Sequence, residues 1–166
     1  MLEINELKKI AVISDTHIPT RASGIPKKAA ELMCGSGLII HCGDIVANSV
    51  LKLLSSLSPV VAVKGNMDSD EIDAPIEQVI KINGRFTLCI AHGSGSPVSI
   101  QPSLYKKFIG YSPDLIIHGH THVPYISEYR GIGFFNPGSC TAGLDYNSMG
   151  FMEIDESSIK PRIISL

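Results

Sequence analysis

The sequence Ile116-Ile117-His118-Gly119-His120-Thr121-His122 carries three histidines at alternating positions, directly after an apolar run. In an extended strand, residues two apart point to the same side. The pattern therefore predicts that His120 and His122 project into one small volume from the end of a single strand. Two imidazoles placed in this way are typical of half a metal site, so the other half is expected elsewhere in the chain.

The apolar segments of the chain predict an α/β fold. In the first half, runs at 8–15, 38–42 and 59–63 indicate buried strands, separated by helices at 27–33 and 49–56. Such alternation favours parallel strands joined by right-handed crossovers. In the second half, strands at 76–82 and 86–91 flank the hairpin signal Asn83-Gly84. The other predicted elements are a loop at 92–97, a helix at 104–109, and strands at 115–117, 124–129, 132–135, 150–154 and 159–164. Two packed sheets with helices outside them would accommodate both halves.

The composition indicates a single domain over residues 1–166. The chain is 44% apolar and 18% charged, which is typical of a compact protein and not of a disordered one. The net charge of −2 gives no electrostatic reason to expect binding to nucleic acid or to a membrane surface. No apolar run approaches the roughly 20 residues that span a bilayer. Residues 1–6 do not resemble a signal peptide, and the four cysteines form no Cys-x-x-Cys pair. A cytoplasmic protein with free thiols is therefore expected.

Polar side chains follow five of the predicted strands, at the point where each strand ends. In open α/β sheets, binding sites assemble at the carboxyl ends of the strands. The seven candidate metal ligands are Asp15, His17, Asp44, Asn66, His92, His120 and His122. This number is too large for one four-coordinate ion, but it suits two ions that share a carboxylate and lie roughly 3.5–4 Å apart. The many imidazoles favour Mn, Fe, Co, Ni or Zn over Ca or Mg.

The order of these residues resembles the motifs of the calcineurin-like metallophosphoesterases. The motifs of that superfamily correspond here to Asp15-Thr16-His17, Gly43-Asp44, Gly65-Asn66, His92 and Gly119-His120-Thr121-His122. The small size and the late Asn136-Pro137-Gly138-Ser139 are similar to the compact bacterial and archaeal phosphodiesterase branch. That branch also resembles the retromer subunit that uses this fold as a scaffold.

The resemblance implies a four-layer αββα sandwich, with two mixed β-sheets flanked by helices. It also implies two divalent ions, with manganese as the first choice and Ni, Co, Fe or Zn as alternatives. One ion would take Asp15, His17, Asp44 and His122, and the other would take Asp44, Asn66, His92 and His120, so that Asp44 bridges them. The implied activity is hydrolysis of a small phosphoester, by preference a diester. The attacking group would be a hydroxide that bridges the ions, with Asp44, Asn66 and His92 in catalytic roles. A homodimer is a further expectation from the family.

Two other functions stay open. One is a phosphomonoesterase with the same mechanism, and the other is a non-catalytic, metal-binding scaffold for protein partners. A retromer-type scaffold has lost the histidine that corresponds to His92, whereas this chain keeps it. At Met67, many family members have a histidine that protonates the leaving group. Methionine cannot donate a proton, so general-acid catalysis from this position is not expected.

Residues beside the motifs invite further interpretation. His41 is either a hydrogen-bonding partner of a ligand or a core histidine. Asp68 is interpreted as an exposed turn acid, with support of a ligand as the alternative. His118 is expected to have a structural role deeper in the strand. Ser139 and Cys140 are candidates for lining the cleft.

Overall fold

The computed structural model describes residues 1–141 and 147–166, and these residues form two β-sheets and three α-helices. The strands are β1 (Leu2–Ile4), β2 (Lys9–Ile13), β3 (Leu38–His41), β4 (Val60–Ala62), β5 (Glu77–Ile82), β6 (Phe86–Ala91), β7 (Leu115–Ile117), β8 (Tyr125–Tyr129), β9 (Ile132–Asn136), β10 (Ser148–Ile154) and β11 (Ile159–Ser165). The helices are α1 (Lys27–Met33), α2 (Asn48–Ser55) and α3 (Pro97–Phe108), and a 3₁₀ turn at Ile109–Tyr111 follows α3.

Both sheets contain parallel and antiparallel pairs. The five-stranded sheet has the order β11-β10-β2-β3-β4, in which β2, β3 and β4 are parallel and β10 runs antiparallel to β2. The six-stranded sheet has the order β1-β5-β6-β7-β9-β8, in which β6, β7 and β9 are parallel. The hairpin between β5 and β6 forms at Asn83-Gly84 as predicted, and both residues have the positive φ that such a turn requires.

Three apolar clusters hold four layers together. Side chains such as Val12 and Ile40 from the five-stranded sheet pack against Ile90 and Ile117 from the six-stranded sheet, and this interface forms the central core. Alternate residues of β2 and β3 point to the opposite face, where they pack against α1 and α2. On the outer face of the six-stranded sheet, Phe108 and its neighbours on α3 form the third cluster. The predicted αββα sandwich of two mixed sheets is confirmed.

Two elements differ from the prediction by more than two residues, whereas most of the others differ at their ends by one or two. Helix α3 begins at Pro97, seven residues before the predicted start at 104, and it contains Pro102. Pro97 is favourable as the first residue of the helix, where its missing N–H has no partner to lose. The strand β1 was not predicted, because Leu2–Ile4 is too short to show a pattern. It forms by parallel pairing with β5 at the edge of the sheet.

The strands that precede the candidate ligands all bring their carboxyl ends to one region. Backbone hydrogen bonds join the loops there, from Asp15 N–H to Gly43 O (2.9 Å), from His17 N–H to Asp44 O (3.0 Å) and from Gly119 N–H to His92 O (3.1 Å).

None of the helices in the described ranges is long and apolar enough to cross a membrane.

Candidate metal centre

The structure brings the seven predicted residues to the ends of strands from both sheets. Asp15 and His17 follow β2, Asp44 follows β3 and Asn66 follows β4. From the other sheet, His92 follows β6, and His120 and His122 follow β7. Asp15, His17, Asp44 and His92 are buried, His120 and His122 are half-buried, and Asn66 is exposed. The group therefore has a buried floor and one side that is open to solvent.

The prediction that His120 and His122 project from an extended strand is wrong. Strand β7 ends at Ile117, and the backbone then turns, with φ values of 71° at His120 and 60° at His122. The turn brings Gly119 so close to the first loop that a Cβ atom there would lie 1.9 Å from Ser14 Oγ. The two imidazoles consequently diverge, and each one contacts a different set of residues.

Three more of the seven residues adopt the same unusual backbone conformation. The φ values are 53° at Asp15, 48° at His17 and 57° at Asp44. Non-glycine residues with positive φ are uncommon, and each costs on the order of 1–3 kcal/mol unless the surroundings hold it. Such residues concentrate at functional sites. The backbone therefore marks these loops as a site independently of their side-chain chemistry.

One group of side chains surrounds His122. Its Nε2 atom lies 3.2 Å from Asp15 Oδ1 and 3.3 Å from His17 Nε2. The distance from His17 Nε2 to Asp15 Oδ1 is 3.9 Å. These three residues could hold a metal ion.

A second group surrounds His92 and His120. The distance from His92 Nε2 to Asp44 Oδ2 is 3.4 Å, and the distance from His120 Nδ1 to Asn66 Oδ1 is 3.0 Å. The rings of His92 and His120 lie edge to face, with centroids 5.3 Å apart. Asp15, Asp44 and His92 form another set that could hold a metal ion.

Both carboxylates lie between the two groups. Asp44 Oδ2 is 3.6 Å from His17 Nε2 on one side and 3.4 Å from His92 Nε2 on the other. Asp15 Oδ1 is also within 3.8 Å of His92 Nε2, although it lies closer to His122. Asp44 therefore occupies the more symmetric position between the groups.

Each carboxylate directs one oxygen to the backbone and the other to the centre. Asp15 Oδ2 accepts a hydrogen bond from His120 N–H (3.1 Å), and Asp44 Oδ1 accepts one from Met67 N–H (2.8 Å). Burial alone would raise the pKa of each carboxyl. The neighbouring imidazoles, His122 beside Asp15 and His92 beside Asp44, outweigh burial and keep both pKa values below their usual range. Both groups are consequently anionic near neutral pH.

Several inward-facing atoms need a cation. Asp15 Oδ1 and His92 Nε2 are buried and have no hydrogen-bond partner within the described part of the chain. His92 Nδ1–H donates to Cys42 O (2.7 Å), so Nε2 is the ring nitrogen that faces the carboxylates. His120 Nε2–H donates to Gly95 O (3.1 Å), which leaves the lone pair of Nδ1 facing Asn66 Oδ1. Two ligands at right angles, each about 2.1 Å from an ion, are about 3 Å apart. The separations of 3.0–3.4 Å quoted above for the closest pairs fit such ions.

Two residues beside the motifs connect the loops. His41 Nδ1 accepts from Gly43 N–H (3.2 Å), and its Nε2–H donates to Thr16 Oγ1 (3.0 Å). Burial lowers the pKa of His41 to about 3, so this link is made by a neutral ring. Asp68 accepts from Val46 N–H (2.6 Å) and from Gly65 N–H (2.7 Å), and so joins the loop of Asp44 to the loop of Asn66. The interpretation of Asp68 as an exposed turn acid is wrong.

The end of β9 and the loop that follows it support the site from beneath. Asn136 donates through Nδ2 to Gly119 O (2.9 Å) and to Thr121 Oγ1 (3.0 Å), and so holds the loop of His120 and His122. Ser139 donates to Asp15 O (2.9 Å). Ser139 and Cys140 are fully buried, so neither lines the cleft. Asn136 stands in the sequence Asn-Pro-Gly-Ser, which predicts a turn. That pattern does not predict which distant residues the Asn136 side chain contacts.

His118 has a structural position beneath the loop. It is fully buried, its Nδ1–H donates to Gly119 O (3.0 Å), and its Nε2 accepts from the Tyr125 hydroxyl. Burial lowers the pKa of His118 to about 4. The ring is therefore neutral and is engaged through both nitrogens.

Comparison with known families and sequences gives a consistent result. The family model for the calcineurin-like phosphoesterase superfamily domain matches residues 9–157. A protein of Methanothermobacter thermautotrophicus named "probable metallophosphoesterase" is 36% identical over 157 residues, covering 93% of this chain and 91% of that protein. A protein of Methanocaldococcus jannaschii named "phosphodiesterase" is 28% identical, covering 80% of this chain and 84% of that protein.

Solved structures with the same architecture include a Thermotoga maritima protein determined by NMR. It has a TM-score of 0.78 and 29% identity, and the match covers 96% of this chain and all (100%) of that one. Vps29 of Entamoeba histolytica, solved in complex with Zn²⁺, has a TM-score of 0.74 and 25% identity, covering 94% of this chain and 98% of that one. The chain therefore belongs to the calcineurin-like phosphoesterase superfamily.

Proposed function

We propose that this member of the calcineurin-like phosphoesterase superfamily is a metal-dependent phosphodiesterase that acts on small phosphoesters, and that residues 1–166 form one catalytic domain. The observation that carries the proposal is the set of inward-facing ligand atoms that have no hydrogen-bond partner among the described residues, above all Asp15 Oδ1 and His92 Nε2. A donor set with this many imidazoles fits divalent transition ions. The relative in Methanocaldococcus jannaschii that is named a phosphodiesterase supports the choice of reaction.

We assign the ligands in two sets that share Asp44. Asp15, His17 and His122 would complete one set, and Asn66, His92 and His120 would complete the other. Manganese is the first ion to test, and Ni, Co, Fe and Zn are the alternatives. Two divalent ions held there would make a water molecule more acidic and offset the negative charge of a phosphate group.

The side chains of the site hold and orient the reacting groups. The carboxylates of Asp15 and Asp44 would hold the positive ions at the buried floor of the site. The hydrogen bond from His92 Nδ1–H to Cys42 O orients the imidazole ring. Asn66 is exposed and turns its carbonyl oxygen to His120, which leaves its NH₂ group for an oxygen of the phosphate. For these reasons Asp44, Asn66 and His92 are the residues proposed to contribute to catalysis.

Turnover of bis(p-nitrophenyl) phosphate with added Mn²⁺ tests the activity. We expect hydrolysis of this diester, slower hydrolysis of p-nitrophenyl phosphate, and loss of both activities in His92→Ala. Faster hydrolysis of the monoester would favour the phosphomonoesterase. No hydrolysis with Mn, Ni, Co or Zn by a protein that binds these ions would favour the scaffold, an alternative suggested by the likeness to Vps29.

Removal of one histidine at a time tests the ligand assignment. Within residues 1–141 and 147–166, His122 contacts Asp15 and His17, whereas His120 contacts Asn66 and lies against the ring of His92. We expect His122→Ala to lose the first ion and His120→Ala to lose the second. Anomalous scattering from crystals of each variant would locate the remaining ion. Loss of the ion on the opposite side would contradict the assignment.

A further inference from the structure

A groove adjoins the candidate metal centre on its Asn66 side. It has a volume of about 350 Å³ and is lined by residues around the loop after β4 and by α3, together with Asn66 and His92 themselves. Small-molecule pockets range from roughly 300 to 1,000 Å³, so this groove has room for one compact group. A phosphoryl group in the centre would place an attached substituent at the mouth of the groove.

The interior of the groove is mostly apolar. The buried side chains of Ile100 and Leu104, on α3, contribute to its lining. Ile76, which directly precedes β5, also contributes to the lining and is 71% exposed. Two hydroxyls, from Ser94 and Ser103, are the small polar groups of the wall. A pocket with apolar walls and a few polar groups is suited to an organic group.

The charged residues of the groove are already neutralised. Lys64 donates to Asp70 O (3.1 Å), and its Nζ lies 3.9 Å from the Asp70 carboxylate. Lys107 forms an ion pair with Glu77. The carboxylate of Asp68 accepts two backbone hydrogen bonds. The two lysines in the lining are thus both paired with acids, Asp70 and Glu77, and Asp68 adds a further negative charge, so the groove offers no surplus positive charge to a second anionic group.

We infer that this groove is a subsite for an uncharged, apolar substituent of the phosphoester, such as an aromatic ring. The substrate class is then a phosphoester of an apolar alcohol, and not a polynucleotide or another polyanion. Ile76, Ile100 and Leu104 supply the apolar surface that determines this specificity. The inference rests on the proposed function for the position of the phosphoryl group.

Binding of phosphonates to the Zn²⁺-loaded protein tests the subsite without any reaction. Isothermal titration calorimetry would compare methylphosphonate, phenylphosphonate and 4-carboxyphenylphosphonate. We expect phenylphosphonate to bind about 10-fold more tightly than methylphosphonate, because the ring is removed from water. The carboxylate of the third compound should abolish that gain. Equal affinities for the methyl and phenyl compounds, or no binding of either, would overturn the inference.

Two exposed positions allow the groove to be altered without disturbing the core. Ile76→Ser should reduce the preference for phenyl over methyl by about 3-fold or more. Ser103→Trp should abolish the preference by filling the groove. Val98→Ser is the matched control, because Val98 is 86% exposed on α3, the helix that carries Ser103, and is not among the residues that line the groove. A preference that survives both groove variants would contradict the proposal.

The two proposals can fail separately. If the protein binds phenylphosphonate more tightly than methylphosphonate but hydrolyses no phosphoester, the proposed function is refuted and the subsite is supported. Hydrolysis of bis(p-nitrophenyl) phosphate without a phenyl preference would leave the function and remove the subsite.

Discussion

Replacement of Asp68 by asparagine should weaken both the fold and the metal centre. The two carboxylate oxygens accept hydrogen bonds from Val46 N–H and Gly65 N–H, at 2.6 and 2.7 Å. An asparagine keeps one acceptor and presents an NH₂ group to the other N–H. The variant therefore loses one hydrogen bond and leaves one backbone donor facing another donor.

The expected loss of stability follows from the type of bond that is removed. A hydrogen bond to a charged group contributes about 1.5–3 kcal/mol. Because Asp68 is half-buried, water replaces part of the lost bond, and the lower end of this range is expected. The bond also holds Val46, a β-branched residue with a φ of 77°. For a chain of this size, the corresponding fall in Tm is about 3–6 °C.

The effect on metal binding follows from the two loops that Asp68 connects. These loops carry Asp44 and Asn66, and neighbours that orient metal ligands typically contribute 10–100-fold to affinity. We expect Zn²⁺ to bind about 10-fold more weakly to Asp68→Asn, measured by competition with a chromophoric chelator. Urea denaturation of the metal-free protein would give the change in free energy of unfolding.

Asp70→Asn is the matched control, since Asp70 is fully exposed and pairs only with Lys64 at the surface. Its effect on the free energy of unfolding should stay within about 0.5 kcal/mol. The reasoning is refuted if Asp68→Asn behaves like this control in both measurements.

Three further predictions concern other parts of the chain. Gly119→Ala should destabilise the protein by about 3 kcal/mol in urea denaturation, because a Cβ would lie 1.9 Å from Ser14 Oγ and 2.6 Å from Asp15 Oδ2. Gly110→Ala, where a Cβ meets nothing within 4 Å, should be neutral or slightly stabilising, and an equal effect of both substitutions would contradict the steric argument. Of the four cysteines, only the exposed Cys34 should react rapidly with Ellman's reagent at pH 8 in the native protein. Burial raises the pKa of the Cys89 and Cys140 thiols to about 12, so their thiolates are scarce, and a second fast thiol would contradict this. If the chain hydrolyses aryl phosphodiesters, its rate should depend steeply on the pKa of the leaving group. Met67→His should flatten that dependence, because a histidine there can protonate poor leaving groups and raise their rate of hydrolysis by about 10²–10⁴-fold. A flat dependence in the unmodified protein would refute this account.

Much of the fold could be predicted from the sequence because its strands are short, apolar and ended by polar residues. Helix α1 and strand β7 have the predicted bounds, and the Asn83-Gly84 hairpin forms as expected. The start of α3 could not be predicted from local preference, because Pro102 and the preceding serines and glycines are typical of a loop. Burial of Ile100 and Leu104 against the sheet stabilises this helix, which is a tertiary effect.

The identity of the candidate ligand residues could be predicted from the sequence, but their backbone conformation could not. Seven donor residues at strand ends indicate a centre by their chemistry alone. The left-handed conformation of Asp15 or His122 is imposed by contacts between loops far apart in the chain, such as the approach of Gly119 to Ser14. The roles of Asp68 and Asn136 likewise depend on partners 15 to 22 residues away, and no local pattern specifies such partners.

The left-handed backbone of the candidate ligands has an evolutionary consequence. Asp15, His17, Asp44, His120 and His122 each hold a left-handed conformation that glycine would adopt with less strain. At about 1–3 kcal/mol per residue, their combined strain is comparable with the 5–15 kcal/mol by which a typical domain is stable. A lineage that stops using the ions would therefore gain stability by replacing these residues one at a time, while both sheets remain intact. In this architecture, loss of the proposed ligands is therefore energetically downhill.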